Sequence, residues 1–208
     1  MKKIKTIILM IFLLVCFMPV VGAQPAGDYD TYTVQRGDSL WKIAVKYEVG
    51  VSELIAANKQ FKNPDLIYPG QKVYVPLYDK VKAIEKSVIE LTNQQRVKNG
   101  LKPVEYNWEL CRVARYKSQD MMDKHYFSHT SPTYGSPFDM IKAFGISYRS
   151  AGENIAKGQS SAQAVVTAWM NSSGHRANIL NSSYTQIGVG YAVDSSGTPY
   201  WTQMFIGK

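Results

Sequence analysis

Hydrophobic and polar positions change rhythm several times along this chain. Tyr32 and Val34 alternate with polar neighbours up to Arg36-Gly37-Asp38. Glycine frees the backbone there and Asp38 or Ser39 supplies a helix cap, so a strand is expected to turn into a helix. Leu40, Trp41, Ala44 and Tyr47 then read as one face of a short helix, and Val51-Ser52-Glu53 opens a second helix carrying Leu54, Ile55 and Ala57. Asn58 to Asp65 is a polar connector, Tyr68-Pro69-Gly70 a turn, and Lys72-Val73-Tyr74-Val75 a closing strand limited by Pro76. The order over residues 31–76 is strand, helix, helix, strand.

A new core begins after a short connector at 77–83. Ile84, Val88, Leu91 and Gln95 share a helical face that ends at Asn99-Gly100. Trp108 to His125 is helical with Leu110, Val113, Ala114, Lys117, Met121 and Met122. Further helices are expected over Ser136–Phe144 and Ala162–Met170. Strand rhythm appears at Ile155-Ala156, at Ile187–Val193 and at Tyr200–Ile206. The last two form an antiparallel hairpin across the turn-rich segment Asp194–Pro199. Helices and a small antiparallel sheet over 84–206 define an α+β domain large enough to bury its own core.

Residues 32–76, with GDSLWKIA and LIYPGQKVYVP as written, closely resemble the LysM module, which binds N-acetylglucosamine-containing glycans of peptidoglycan and chitin. The resemblance implies a shallow sugar groove in which Gly37, Asp38, Ser39 and Leu40 face Leu66, Ile67, Tyr68 and Pro69. Backbone polar groups would serve the acetamido group and apolar side chains the sugar faces. The alternative is that these residues only build turns and a small core.

Beyond residue 84, the segments ELTNQQRVKNGL, FSH, GEN, GHRANIL, YTQIGVGYAV and YWTQMF resemble the CAP superfamily in its bacterial SCP-like branch. This implies an α-β-α sandwich with a cleft in which two His and two Glu gather and, in some members, bind a divalent metal. Position by position, His129 matches the first His and Glu153 the Glu of the GEN motif, while Ser172 stands where eukaryotic members carry the second Glu. His175 of GHRANIL brings an imidazole to the cleft by another route. Two imidazoles and a carboxylate could hold zinc with an open position for water, or act as general acid and base. They could equally serve as hydrogen-bonding partners of the surrounding loops. No zinc-protease helix signature and no nucleophile turn is present. His125, beside Lys124 at a helix end, reads as a capping or surface residue.

Charge and processing signals narrow the setting. Met-Lys-Lys-Ile-Lys, an apolar run from Ile7 and then Val21-Gly22-Ala23 read as a secretory leader over 1–23, too short in its apolar core for a lasting membrane span. Cys16 lacks the small residues of a lipoprotein site. The net charge of +8 includes three leader lysines, so the mature chain carries +5. That suits the polyanionic polymers of a bacterial wall, or a merely solvated surface, and no nucleic-acid motif accompanies it. Cys111 is then the single thiol, which excludes an internal disulfide and reads as buried filling.

Three functions follow. One is a secreted protein of the cell wall or spore surface that binds peptidoglycan or a chitin-like glycan through LysM and presents a non-catalytic CAP domain. A second is a hydrolase of wall peptide or glycan using His129, Glu153 and His175. The third and weakest is a lipid or sterol carrier.

Overall fold

A computed structural model describes residues 28–208; the leader reading lies outside them. The first unit contains β1 (Tyr29–Thr33), α1 (Leu40–Tyr47), α2 (Val51–Ala57) and β2 (Lys72–Pro76). The two strands pair antiparallel with Tyr32 opposite Val73. Ser39 caps α1 by accepting from the Lys42 amide at 3.2 Å, and Glu48 ends the helix in the left-handed region at φ 52°. Val34, Leu40, Ile43, Ala44, Val49, Leu54, Val73 and Val75 form the core. Trp41 departs from the expected stripe. It sits roughly 100° around the helix from Leu40, while Ile43 fills the inward position, and its ring is 64% exposed. Buried Asn58 joins α2 to β2: its amide nitrogen donates to the Leu54 and Tyr74 carbonyls and its oxygen accepts from the Tyr74 amide.

The second unit runs α3 (Asp79–Lys98), β3 (Glu105–Tyr106), α4 (Trp108–Asp123), α5 (Pro137–Ala143), β4 (Ser150–Lys157), α6 (Ala162–Asn171), α7 (Ser173–Ile179), β5 (Gln186–Val193) and β6 (Pro199–Gly207). Its sheet has the order β3-β5-β6-β4, antiparallel except for β3 beside β5. Alternation along buried β6 assigns the two faces. Trp201 and Phe205 pack with Val88, Val165, Val166, Trp169 and Ile179 of α3, α6 and α7. Met204 and Ile206 pack with Leu110, Val113 and Ala114 of α4 and Met140 and Ile141 of α5. The result is the helix-sheet-helix sandwich that the sequence led us to expect, with the hairpin of β5 and β6 at its centre.

Gly188 and Gly190 of β5 explain why α4 lies so near the sheet. A Cβ at either would stand 2.3 or 2.1 Å from the α4 backbone. Ser118 of α4 uses this proximity to donate to the Gly190 carbonyl at 3.0 Å.

Several elements differ from the sequence reading. α3 starts at Asp79, inside the segment read as a connector, and buries Glu85, Val88, Ile89, Thr92 and Arg96. The face is rotated because two charged residues occupy core positions. Glu85 takes both Arg115 nitrogens, at 2.9 and 2.6 Å, and Arg96 donates to the carbonyls of Lys102, Ile179 and Asn181. β3 and α7 were not anticipated, and β4 extends back to Ser150, so the GEN segment is strand rather than loop.

The two units touch. Arg112 Nε and Nη2 reach the Glu53 carboxylate at 2.6 and 3.0 Å, and Nη2 also reaches Ser52 Oγ. Tyr106 donates to Glu48 at 2.9 Å.

Candidate functional site

The first candidate surface lies where the β1–α1 and α2–β2 connections meet. Val34 accepts from the Gly70 amide and donates to the Gln71 carbonyl, both at 2.9 Å, which holds the two connections side by side. Gly37 and Gly70 both have φ 88°, a conformation that costs glycine little. Within the first connection Asp38 works internally. Its carboxylate accepts from the Gln35 amide and the Tyr32 hydroxyl, both at 2.8 Å, and these two bonds hold its pKa below the ordinary value. Ser39 caps α1 and Leu40 enters the core. In the second connection Ile67 packs against the core, while Leu66 is 54% and Tyr68 55% exposed and Pro69 is also outward. The eight expected residues thus divide into a supporting set and an accessible set. Sequence reasoning missed the exposed Trp41, because an aromatic in an amphipathic pattern reads as core.

The second candidate surface is built around Glu153 on β4. Strand alternation sends Glu153, opposite Met204, toward the α4 face and Asn154, opposite Gln203, toward α3 and α7. Glu153 is 5% exposed. Its Oε1 lies 2.7 Å from His129 Nδ1, and its buried Oε2 has no partner. Burial raises its pKa; the His129 bond and the Lys117 charge pull the other way. His129 comes from the stretch after α4, and about half of its ring faces solvent.

α4 supports that stretch from beneath. The Lys117 ammonium, on a fully buried residue, donates to Tyr126 Oη at 3.0 Å and to the Ser128 and His129 carbonyls at 2.8 and 2.9 Å. One turn on, Asp120 accepts from Tyr126 and Ser131 at 2.6 and 2.7 Å and from Thr133. His125, at φ 53°, closes α4, and the Tyr126 amide reaches back to the Met121 carbonyl. The reading of His125 as a helix-end residue agrees with this geometry.

His175 arrives on α7 from the other side of β4. Asn154 donates to the His175 carbonyl at 3.1 Å and to Gln203, while Asn178 donates to the Glu153 carbonyl and to Asn154 Oδ1. These bonds fix α7 against the strand through its backbone. Burial, and then the charge of His129, lowers the His175 pKa, which keeps the ring neutral near pH 7. Ser172 forms the α6–α7 junction, with no side-chain capping bond.

Zinc requires several protein donors converging on one point. His129 Nδ1 is taken by Glu153. Among the described residues no group of three or more His, Cys, Asp or Glu side chains is arranged to hold a metal ion. The zinc arrangement suggested by residue types therefore does not fit this geometry. The physical reason is that His129 Nδ1 and Glu153 Oε1 already satisfy each other, and among the described residues no third donor joins them.

A four-stranded sheet between helices, with a buried carboxylate bonded to an imidazole at its β4 edge and a βααβ unit before it, defines a two-module architecture. The chain belongs to the CAP family: the model described as the cysteine-rich secretory protein family matches residues 89–205, and the LysM domain model matches residues 32–76. The uncharacterized protein YkwD of Bacillus subtilis (strain 168) is 63% identical over 128 residues, 62% of this chain and 49% of that protein. SpoIVD-associated factor A of the same strain is 60% identical over 45 residues, 22% of this chain and 12% of that protein. A solved extracellular protein containing an SCP domain, from Bacillus anthracis str. Ames, aligns with a TM-score of 0.58 at 33% identity, covering 75% of this chain and 50% of that one. The chain thus spans half or less of the length of these relatives. LysM is a glycan-binding domain, so the coarse functional statement is a glycan-binding module followed by a CAP domain. No described helix is long and apolar enough to cross a membrane.

Proposed function

We propose that this is a secreted, wall-associated protein that binds the N-acetylglucosamine-containing glycan of peptidoglycan through LysM and presents a non-catalytic binding cleft on its CAP domain. The observation that carries the proposal is the pairing of the two connections through Val34, which leaves Leu66 and Tyr68 outward beside accessible backbone. Exposed aromatic and aliphatic side chains beside backbone polar groups suit the two-sided chemistry of a sugar. The charge of +5 left once the leader lysines are removed favours a polyanionic wall. The name of SpoIVD-associated factor A is in keeping with a spore setting, and that of the solved SCP-domain neighbour with an extracellular one.

Sedimentation of the full chain with purified peptidoglycan tests this. Tyr68→Ala is expected to weaken binding about tenfold while leaving the melting temperature unchanged. Wild-type protein that stays in the supernatant would sink the proposal, and chitin as competitor reports whether the glycan class is shared.

One observation favours hydrolysis as a second reading. With Nδ1–H donated to the Glu153 carboxylate, His129 Nε2 is free to accept a proton. Release of soluble fragments from labelled peptidoglycan, abolished in Glu153→Gln, would replace the non-catalytic reading with this one.

A further inference from the structure

Lys117 is a fully buried lysine in a helix otherwise packed with Leu110, Val113, Ala114 and Met121. Burying an ammonium costs several kcal/mol unless each proton finds an acceptor. Here all three do, and the acceptors share a location. Tyr126 Oη, the Ser128 carbonyl and the His129 carbonyl lie within four consecutive residues, ending on the one whose ring meets Glu153. Asp120, three residues on and so on the same helix face, holds Tyr126, Ser131 and Thr133. The segment 126–133 is thus tied to α4 by a cation at its middle and an anion at both sides. Lys117 also acts electrostatically on Glu153, whose second oxygen has no partner.

From this geometry we infer that Lys117 is the positioning residue of the cleft: its ammonium clamps the Ser128 and His129 carbonyls and thereby places His129 Nδ1 on Glu153. A merely apolar residue at this point would leave two inward carbonyls unpaired and the His129 main chain free to turn away. The inference rests on the reading of His129 and Glu153 as the working pair of the cleft, but it concerns their placement and not what they bind.

The test uses the full chain labelled with 15N and no ligand. A His129 Nδ1–H bonded to a carboxylate at 2.7 Å is expected to give a downfield proton signal whose exchange with water is slowed by the bond. Lys117→Met keeps the apolar stem and removes the donors and the charge; the signal is expected to vanish or to exchange at least about tenfold faster. Val166→Ala, a cavity on the opposite side of the sheet, is a control for general destabilisation and is expected to keep the signal. Should the Met variant not fold, Lys117→Gln supplies the same readout with a shorter neutral donor, and loss of the signal is again expected. A wild-type signal in either folded Lys117 variant overturns the inference, as does its equal loss in Val166→Ala. Binding of wall fragments unaffected by Glu153→Gln would overturn the cleft reading alone, since the signal is read without ligand.

Discussion

Replacing Asp120 by Asn probes the polar knot beneath the cleft. The carboxylate is 8% exposed and accepts from Tyr126, Ser131 and Thr133, with the Lys124 ammonium at 3.2 Å. Burial by itself would raise its pKa. The donors outweigh that cost and hold the group at about 2, against an ordinary 3.8. A depression of this size corresponds to about 2 kcal/mol of folding stability. Because the folded value is the lower one, the contribution is full above the unfolded value and is lost as pH falls toward 2. Asn has the same shape and does not titrate, and it turns one acceptor into a donor facing a hydroxyl. Urea unfolding of both proteins from pH 6 to pH 2 measures the difference. Wild type should be the more stable by about 2 kcal/mol at pH 6, and the gap should shrink to a few tenths by pH 2. A gap that does not change with pH would refute the argument, because it would locate the cost of Asn in packing and not in charge.

Gly190→Ala should lower stability by about 3 kcal/mol, since its Cβ would fall 2.1 Å from the Ala114 carbonyl carbon; a thermal melt equal to wild type would contradict the close approach of α4. Arg112→Ala removes the bonds to Glu53 and Ser52 and should cost about 1 kcal/mol. Amide exchange at Val73 and Val75 should then rise ahead of exchange at Val189, and uniform exchange throughout would contradict a joint that couples the units. Cys111 is buried and its thiol is pushed up to about 12 by burial and by the nearby Glu85 charge. Disulfide reagents at pH 8 should therefore label it only on unfolding, and rapid labelling of the native protein would contradict its burial.

Residue pattern alone was enough for much of this architecture, and particular residues show where it stopped. The β5–β6 hairpin is legible because alternating apolar residues flank a turn-rich segment. α5 is legible because Ser136 stands ahead of Pro137 at the helix start, with Asp139 three residues on completing a reciprocal cap, and Gly145 follows its end. α7 was missed because Ser173–Ile179 is short and polar, with Ile179 its only buried residue. The buried face of α3 was displaced because Glu85 and Arg96 look like solvated charges until Arg115 and a set of distant carbonyls come to meet them. Lys117 carried a usable signal, a charge on an apolar helix face, but nothing local says which acceptors will satisfy it.

What the sequence determined by itself is local and chemical: the strand-helix-helix-strand order of the first unit, the caps, the hairpin, and the residue types at His129, Glu153 and His175. Tertiary structure decided which of these residues meet. The pleat of β4 sends neighbouring side chains to opposite faces, so Glu153 meets His129 above α4, while Asn154 holds α7 and the His175 main chain on the other side. Periodicity marks which residues can share a face, but only strand pairing and the buried ammonium of Lys117 select the pair that does.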